Sequence, residues 1–184
     1  MERGNVRFTA FLRAINVGGR TVKMDKLRAV FESLGLSNVT TFIASGNVIF
    51  EARQKNADSL EPMIEQHLND ALGYAVATFV RSLDEVTDVA RYRAFPHADL
   101  GAGGGALYVG FLHAPPTREA KQKLLALHSD IDELHLRGRE LYWLRRTKFS
   151  ESAFSGALLE KTLSMPMTVR NLTTINRIAA KYAG

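Results

Sequence analysis

Near the start of the chain, Asn16-Val17-Gly18-Gly19-Arg20-Thr21-Val22-Lys23 follows a dense apolar run and precedes a helical pattern. A segment that joins a strand to the first turn of a helix offers an anion free backbone N–H groups and the positive end of the helix dipole. Two glycines allow close approach of the backbone, and Arg13, Arg20 and Lys23 add positive charge. The segment lacks the Gly-Lys-Ser/Thr ending of a Walker A loop and the spacing of a dinucleotide fingerprint. Its chemistry is therefore that of an anion site of unspecified ligand, and the competing account is a plain glycine turn.

Three further groups carry candidate chemistry. Ser45-Gly46-Asn47 sits between two strand-like runs, so it reads as a hairpin closure; a nucleophile elbow would need a strand-turn-helix setting. Asn47 is the residue there whose amide would reach a ligand beside the first loop. Towards the C-terminus, Lys161, Thr168, Arg170, Asn171 and Thr174 cluster, with Asn171 placed to cap the last helix and Arg170 placed to reach a carboxylate or phosphate. If these segments meet in space, Arg13, Asn16, Gly18, Gly19, Arg20, Lys23, Ser45, Asn47, Arg170 and Asn171 line one anionic-ligand cleft. Separately, Arg137, Arg139, Arg145, Arg146 and Lys148 form an arginine-rich hairpin, expected as a basic surface or as a solvated edge kept soluble by charge. Arg7, Thr9, Phe11 and Arg13 alternate along the first strand, and Tyr142 and Trp143 lie on the basic hairpin. Aromatics interleaved with arginine invite comparison with RNA-binding sheets, but no RNP-type string is present and Phe11 reads better as core.

Composition narrows the chemistry. The 184 residues contain no cysteine, which excludes disulfides, thiolate catalysis and cysteine–zinc sites. The five histidines show no i, i+4 or HExxH pairing, so no metal is expected, and nothing implies a cofactor. The net charge of +5 is unevenly spread: the chain to Tyr92 holds 11 basic and 11 acidic residues, the remainder 13 and 8. No apolar stretch is long enough to span a bilayer and no secretory signal is apparent, so a cytoplasmic protein is the default.

The elements that must position these groups follow from periodicity. Val6 to Ala14 reads as a central strand; Met24, Leu27, Val30, Phe31 and Leu34 recur at helical spacing, with Gly35 as the stop. Val39–Ala44 and Val48–Ala52 are strands. Asp58 with Glu61 suggests a capping box for a helix carrying Leu60, Met63, Ile64, Leu68 and Leu72, with Pro62 in its first turn. Ala75–Val80 is a fourth strand, and Ser82 with Glu85 caps a short helix. Residues 93–105 read as a glycine-rich linker. The rhythm then repeats: a strand from Ala106 to His113, a helix opened by Pro115-Pro116-Thr117, a hairpin around Arg137-Gly138-Arg139, a helix from Ser155 to Leu163, a short strand from Met167 to Arg170 and a terminal helix. The expectation is an α+β fold of two tandem ferredoxin-like (βαββαβ) subdomains with antiparallel sheets, 1–92 and 106–184, plus a C-terminal helix.

Several strings also resemble a known family: Phe11-Leu12-Arg13-Ala14-Ile15-Asn16-Val17-Gly18-Gly19, Lys23-Met24 with Leu27, Thr41-Phe42-Ile43-Ala44-Ser45-Gly46-Asn47-Val48-Ile49-Phe50, and near the end Glu160-Lys161, Thr168-Val169-Arg170-Asn171 and Thr174. Together they resemble the DUF1697 family, a mostly bacterial group of uncharacterised proteins, over essentially the whole chain. The resemblance implies a ferredoxin-like α+β fold and no particular activity. The chain departs from the family pattern at Ala14, where Gly is usual, at Ala44, where Gln is common, and at Leu172, where an aromatic is common.

The functional expectation is a binding protein for an anionic ligand: a nucleotide, a phosphorylated metabolite or nucleic acid. The alternatives are a small metal-independent enzyme using the same polar cleft, and a protein-interaction module or homo-oligomer.

Overall fold

The computed structural model describes residues 4–16, 18–44, 46–53, 56–98, 105–127, 129–146 and 152–183. Of the candidates above, Ser45 and Lys148 lie outside the described residues, as do residues 99–104 of the glycine-rich stretch. In chain order the elements are β1 (Val6–Leu12), α1 (Met24–Ser33), β2 (Ser37–Thr41), β3 (Asn47–Ala52), α2 (Ala57–Leu72), β4 (Thr78–Ser82) and α3 (Leu83–Arg91). They continue as β5 (Ala106–Leu112), α4 (Arg118–Leu125), β6 (Asp132–Arg137), β7 (Glu140–Arg145), α5 (Gly156–Leu163), β8 (Met167–Asn171) and α6 (Leu172–Tyr182). Among the described residues the strands form two four-stranded sheets, ordered β2-β3-β1-β4 and β6-β7-β5-β8, and every pairing is antiparallel. The fold is α+β. Two compact units divide the chain: Met1–Thr87 with Ile178–Gly184, and Asp88–Arg177. Among the described residues no helix is long and apolar enough to cross a membrane.

In the first unit, alternation along β1 sends Phe8, Ala10 and Leu12 to the face that meets the helices. Phe8 and Phe50 pair directly across β1 and β3, their rings 5.8 Å apart, and Phe31 of α1 closes on Phe50 at 5.6 Å. Leu60, Ile64 and Leu68 bring the stripe of α2 onto the same core. Each such buried side chain contributes about 1.5–3 kcal/mol, which explains why two modest helices hold firmly to the sheet. The second unit repeats the plan, with Leu112, Leu141, Trp143, Leu124, Leu159 and Leu163 between sheet and helices.

β4 ends its sheet, so alternate backbone amides point away from any strand. Glutamates take them: Thr78 N–H donates to Glu65 Oε1 at 2.8 Å, Val80 N–H to Glu61 Oε1 at 2.8 Å and Ser82 N–H to Glu85 Oε2 at 2.7 Å. On β8, Met167 N–H donates to Glu160 Oε1 at 2.7 Å. Helix side chains thus occupy amides that would otherwise template another strand.

Glu61 is consequently not a capping residue. Asn56 caps α2 instead, its side-chain oxygen accepting from Asp58 N–H at 2.9 Å. Glu61 lies one turn beyond that cap and turns to β4, and Pro62 falls in the second turn on the exposed side. The Ser82–Glu85 box does form, with Glu85 N–H donating to Ser82 Oγ at 3.2 Å. The hairpin of β6 and β7 turns on Gly138 and Arg139, with Gly138 at φ 59, the glycine-first turn that matches strand twist.

Candidate functional site

β1 ends at Leu12, two residues earlier than its apolar run, because the backbone turns left-handed at Ala14. Ala14 and Asn16 both stand at φ 57, with Gly18 at 66 and Gly19 at 82. Ile15 between the first two is not left-handed, so the hand of the backbone alternates over residues 14–16. Among the described residues, the amides of Ala14, Gly18 and Gly19 donate no hydrogen bond.

The connection from β2 to β3 lies against this loop. It spans residues 42–46 rather than the three-residue turn expected, because β2 stops at Thr41 and Ile43 is left-handed at φ 51. A β-branched residue there is strained, and Ile43 is also 45% exposed. Gly46, at φ 78, packs so closely that a Cβ would stand 2.9 Å from Ile15 Cγ2 and 3.2 Å from Leu12 Cβ. Leu12 N–H donates to Gly46 O at 2.8 Å. Asn16 completes the tie: its Oδ1 accepts from Val22 N–H and its Nδ2 donates to Ala44 O at 3.3 Å.

The sequence-selected residues therefore separate by role. Asn16 staples the two loops through its side chain. Asn47 is fully buried at the start of β3 and its Nδ2 donates to Phe42 O at 3.0 Å, with Phe42 N–H returning a bond to Asn47 O at 2.9 Å. Arg20 stacks on Tyr74, its guanidinium carbon 4.4 Å from the ring centroid. Lys23 is exposed at the N-cap of α1 and makes no side-chain cap bond. Arg13 is exposed and its backbone N–H holds Ala77 O at 2.9 Å. The C-terminal end of α6 supports the second loop: Tyr182 meets the Phe42 ring edge-on at 6.2 Å, and Lys181 Nζ lies 5.8 Å above Phe42.

Arg170 and Asn171 belong to the second unit. Arg170 is 9% exposed on β8, and burial pulls its guanidinium down to about 10. Its Nη1 donates to Thr168 Oγ1 and Val169 O, both at 2.9 Å. Asn171 Oδ1 accepts from Thr173 N–H at 2.8 Å and so caps α6.

A serine–histidine contact joins α1 and α2. Ser33 Oγ lies 2.7 Å from His67 Nε2 and 2.8 Å from Val30 O.

A family model described as Protein of unknown function (DUF1697) matches residues 6–142. The chain belongs to the DUF1697 family. Both tied loops lie inside the matched span. No curated protein matches. Among solved structures, the chain is similar to the conserved bacterial protein SP0830 from Streptococcus pneumoniae, with a TM-score of 0.77 and 22% identity over 98% of this chain and 100% of that one. That likeness bears on fold alone.

The arginine-rich hairpin of this DUF1697 protein is less basic at its surface than its sequence. Arg145 is 2% exposed, on the β7 face shared with Leu141 and Trp143, its guanidinium carbon 5.2 Å from the Tyr108 ring and 5.5 Å from Trp143. Arg146 pairs with Glu133, and Arg137 stacks on Tyr92 at 4.3 Å.

Proposed function

We propose that the first unit binds a small phosphate-bearing anion at its two tied loops, residues 13–23 and 42–47. One observation carries the reading: six left-handed residues, Ala14, Asn16, Gly18, Gly19, Ile43 and Gly46, fall in these two loops, three of them non-glycine. The strain at Ala14 and Ile43 is held in place by surrounding structure, and strain of this kind concentrates at ligand sites. The amides of Ala14, Gly18 and Gly19, the α1 N-terminus and the side chains of Arg13 and Lys23 supply the positive side. A small anion is favoured over nucleic acid, because Arg145 is buried and Arg146 already holds Glu133. We also infer that each unit is a ferredoxin-like βαββαβ module, a reading supported by the element order and by strand orders that run 2-3-1-4 within each unit.

A thermal-shift titration against pyrophosphate and nucleoside mono-, di- and triphosphates tests the site. Ligand at a hundred times its Kd stabilises by about 2.7 kcal/mol. For a chain of this size that is a rise in Tm of roughly 5–10 °C. Arg13→Ala and Lys23→Ala should each shrink the rise. A melting temperature unmoved by the whole panel would refute the reading.

A further inference from the structure

A cavity of about 420 Å³ opens in the second unit beside the end of α3, the turn that follows it, β5 and the first residue of α6. That volume suits a small organic ligand. Phe95, Leu107 and Leu172 line it with apolar surface, Tyr92 adds an aromatic wall, and Arg91 and Arg93 stand exposed at its margin.

The aromatic wall is fixed before any ligand arrives. Tyr92 Oη lies 2.8 Å from His135 Nε2, its ring is 5.1 Å from that of Tyr142, and Arg137 covers it at 4.3 Å. Phe95 meets His135 edge-on at 6.3 Å, and Ala98 N–H closes the turn on Phe95 O at 3.1 Å. A wall already ordered costs little further entropy on binding. Arg91 and Arg93, by contrast, make no ion pair among the described residues. Two guanidinium groups without an ion pair among the described residues, beside an apolar, aromatic-walled cavity, match a ligand that is itself divided into an apolar ring and a charged end.

We propose that this cavity binds an aromatic anion, a planar ring system bearing one carboxylate, sulfonate or phosphate group. The ring lies among Tyr92, Phe95 and Leu107, and the charged group meets Arg91 and Arg93. A wholly apolar ligand leaves both arginines unused. The site is independent of the loops in the first unit.

Anilinonaphthalene sulfonate is the probe, and phenylnaphthylamine, the same ring system without the sulfonate, is its neutral control. Titrated into the full chain at neutral pH, the sulfonate should saturate at one dye per chain with enhanced fluorescence. The double variant Arg91→Ala/Arg93→Ala should weaken the sulfonate about tenfold or more and leave the neutral amine unchanged. Ala94→Trp, which places an indole in the cavity, should abolish binding of both dyes, and Lys23→Ala should affect neither. Circular dichroism confirms that each variant is folded. Sulfonate binding that survives the double arginine variant, or equal loss of both dyes in it, overturns the proposal, as does saturation at several dyes per chain.

Discussion

The left-handed loops can be tested by moving a single methyl group. Ala14 at φ 57 holds a conformation that costs an L-residue roughly 1–2 kcal/mol. Ala14→Gly removes that strain but restores backbone freedom to the unfolded chain, worth about 0.4–1 kcal/mol in the opposite direction. The net expectation is a gain of about 0.5–1 kcal/mol. Gly18→Ala is the mirror experiment: φ is 66 and nothing lies within 4 Å of the added Cβ, so only the conformational part operates and the loss should be of similar size. Gly46→Ala shares the sign of φ but meets Ile15 Cγ2 at 2.9 Å and Leu12 O at 3.3 Å. Overpacking adds about 1–3 kcal/mol, for a total loss of about 2–4 kcal/mol. Urea unfolding followed by circular dichroism is the assay, because the one tryptophan, Trp143, reports on the second unit. At an m-value of about 2 kcal/mol/M, Ala14→Gly should raise the midpoint by about 0.3 M. A lowered midpoint for Ala14→Gly, or a Gly46→Ala no worse than Gly18→Ala, would refute the reasoning.

Other outcomes follow from the same structure. Glu61→Ala should cost about 3–5 kcal/mol, because it breaks a buried pair with Arg81, 3.7 Å away, and removes the acceptor of Val80 N–H; Glu61→Gln keeps an acceptor and should cost less in the same urea assay. Hydrogen bonds from Asn38, then Arg7, hold the Glu51 carboxyl below its usual 4.5. A depressed folded value means that ionised Glu51 stabilises fully above 4.5 and that this is lost as pH falls through the lower value, so the deficit of Glu51→Gln measured at pH 7 should vanish in acid. Burial, then the charge of Glu140, pushes the Tyr142 phenol up to about 12. Its folded value lies above the ordinary 10.0, so stability should decline as pH rises past 10.0, and Tyr142→Phe should remove that part of the decline seen in alkaline unfolding curves.

Elements written in local periodicity were legible from sequence. The stripe of α1, the Ser82–Glu85 box, the glycine-first turn at Gly138 and the Asn171 cap each depend on residues within a few positions of one another. What escaped depends on distant partners. Nothing local shows that Glu61 and Glu65 reach β4 amides, and a capping box was the nearer explanation for Glu61. Nothing local shows that Asn16 ties its loop to Ala44, or that Asn47 faces inward. Arg145 is the instructive case. Read as one of a run of charges it belongs to a solvated edge, yet period-two alternation with Leu141 and Trp143 puts it on their buried face. The glycine loop reads as an anion candidate from its residue types and its place before a helix; the left-handed Ala14 and Ile43 carry no residue-type signal, since neither residue favours that conformation.

The most direct test of the anion site is residue-resolved. In an amide NMR titration of the full chain with pyrophosphate, the account predicts saturable shifts concentrated at Ala14, Gly18, Gly19, Lys23, Met24 and Gly46, saturating only at higher pyrophosphate in Lys23→Ala. No saturable shift at those amides, or shifts confined to the β6–β7 hairpin, would contradict it.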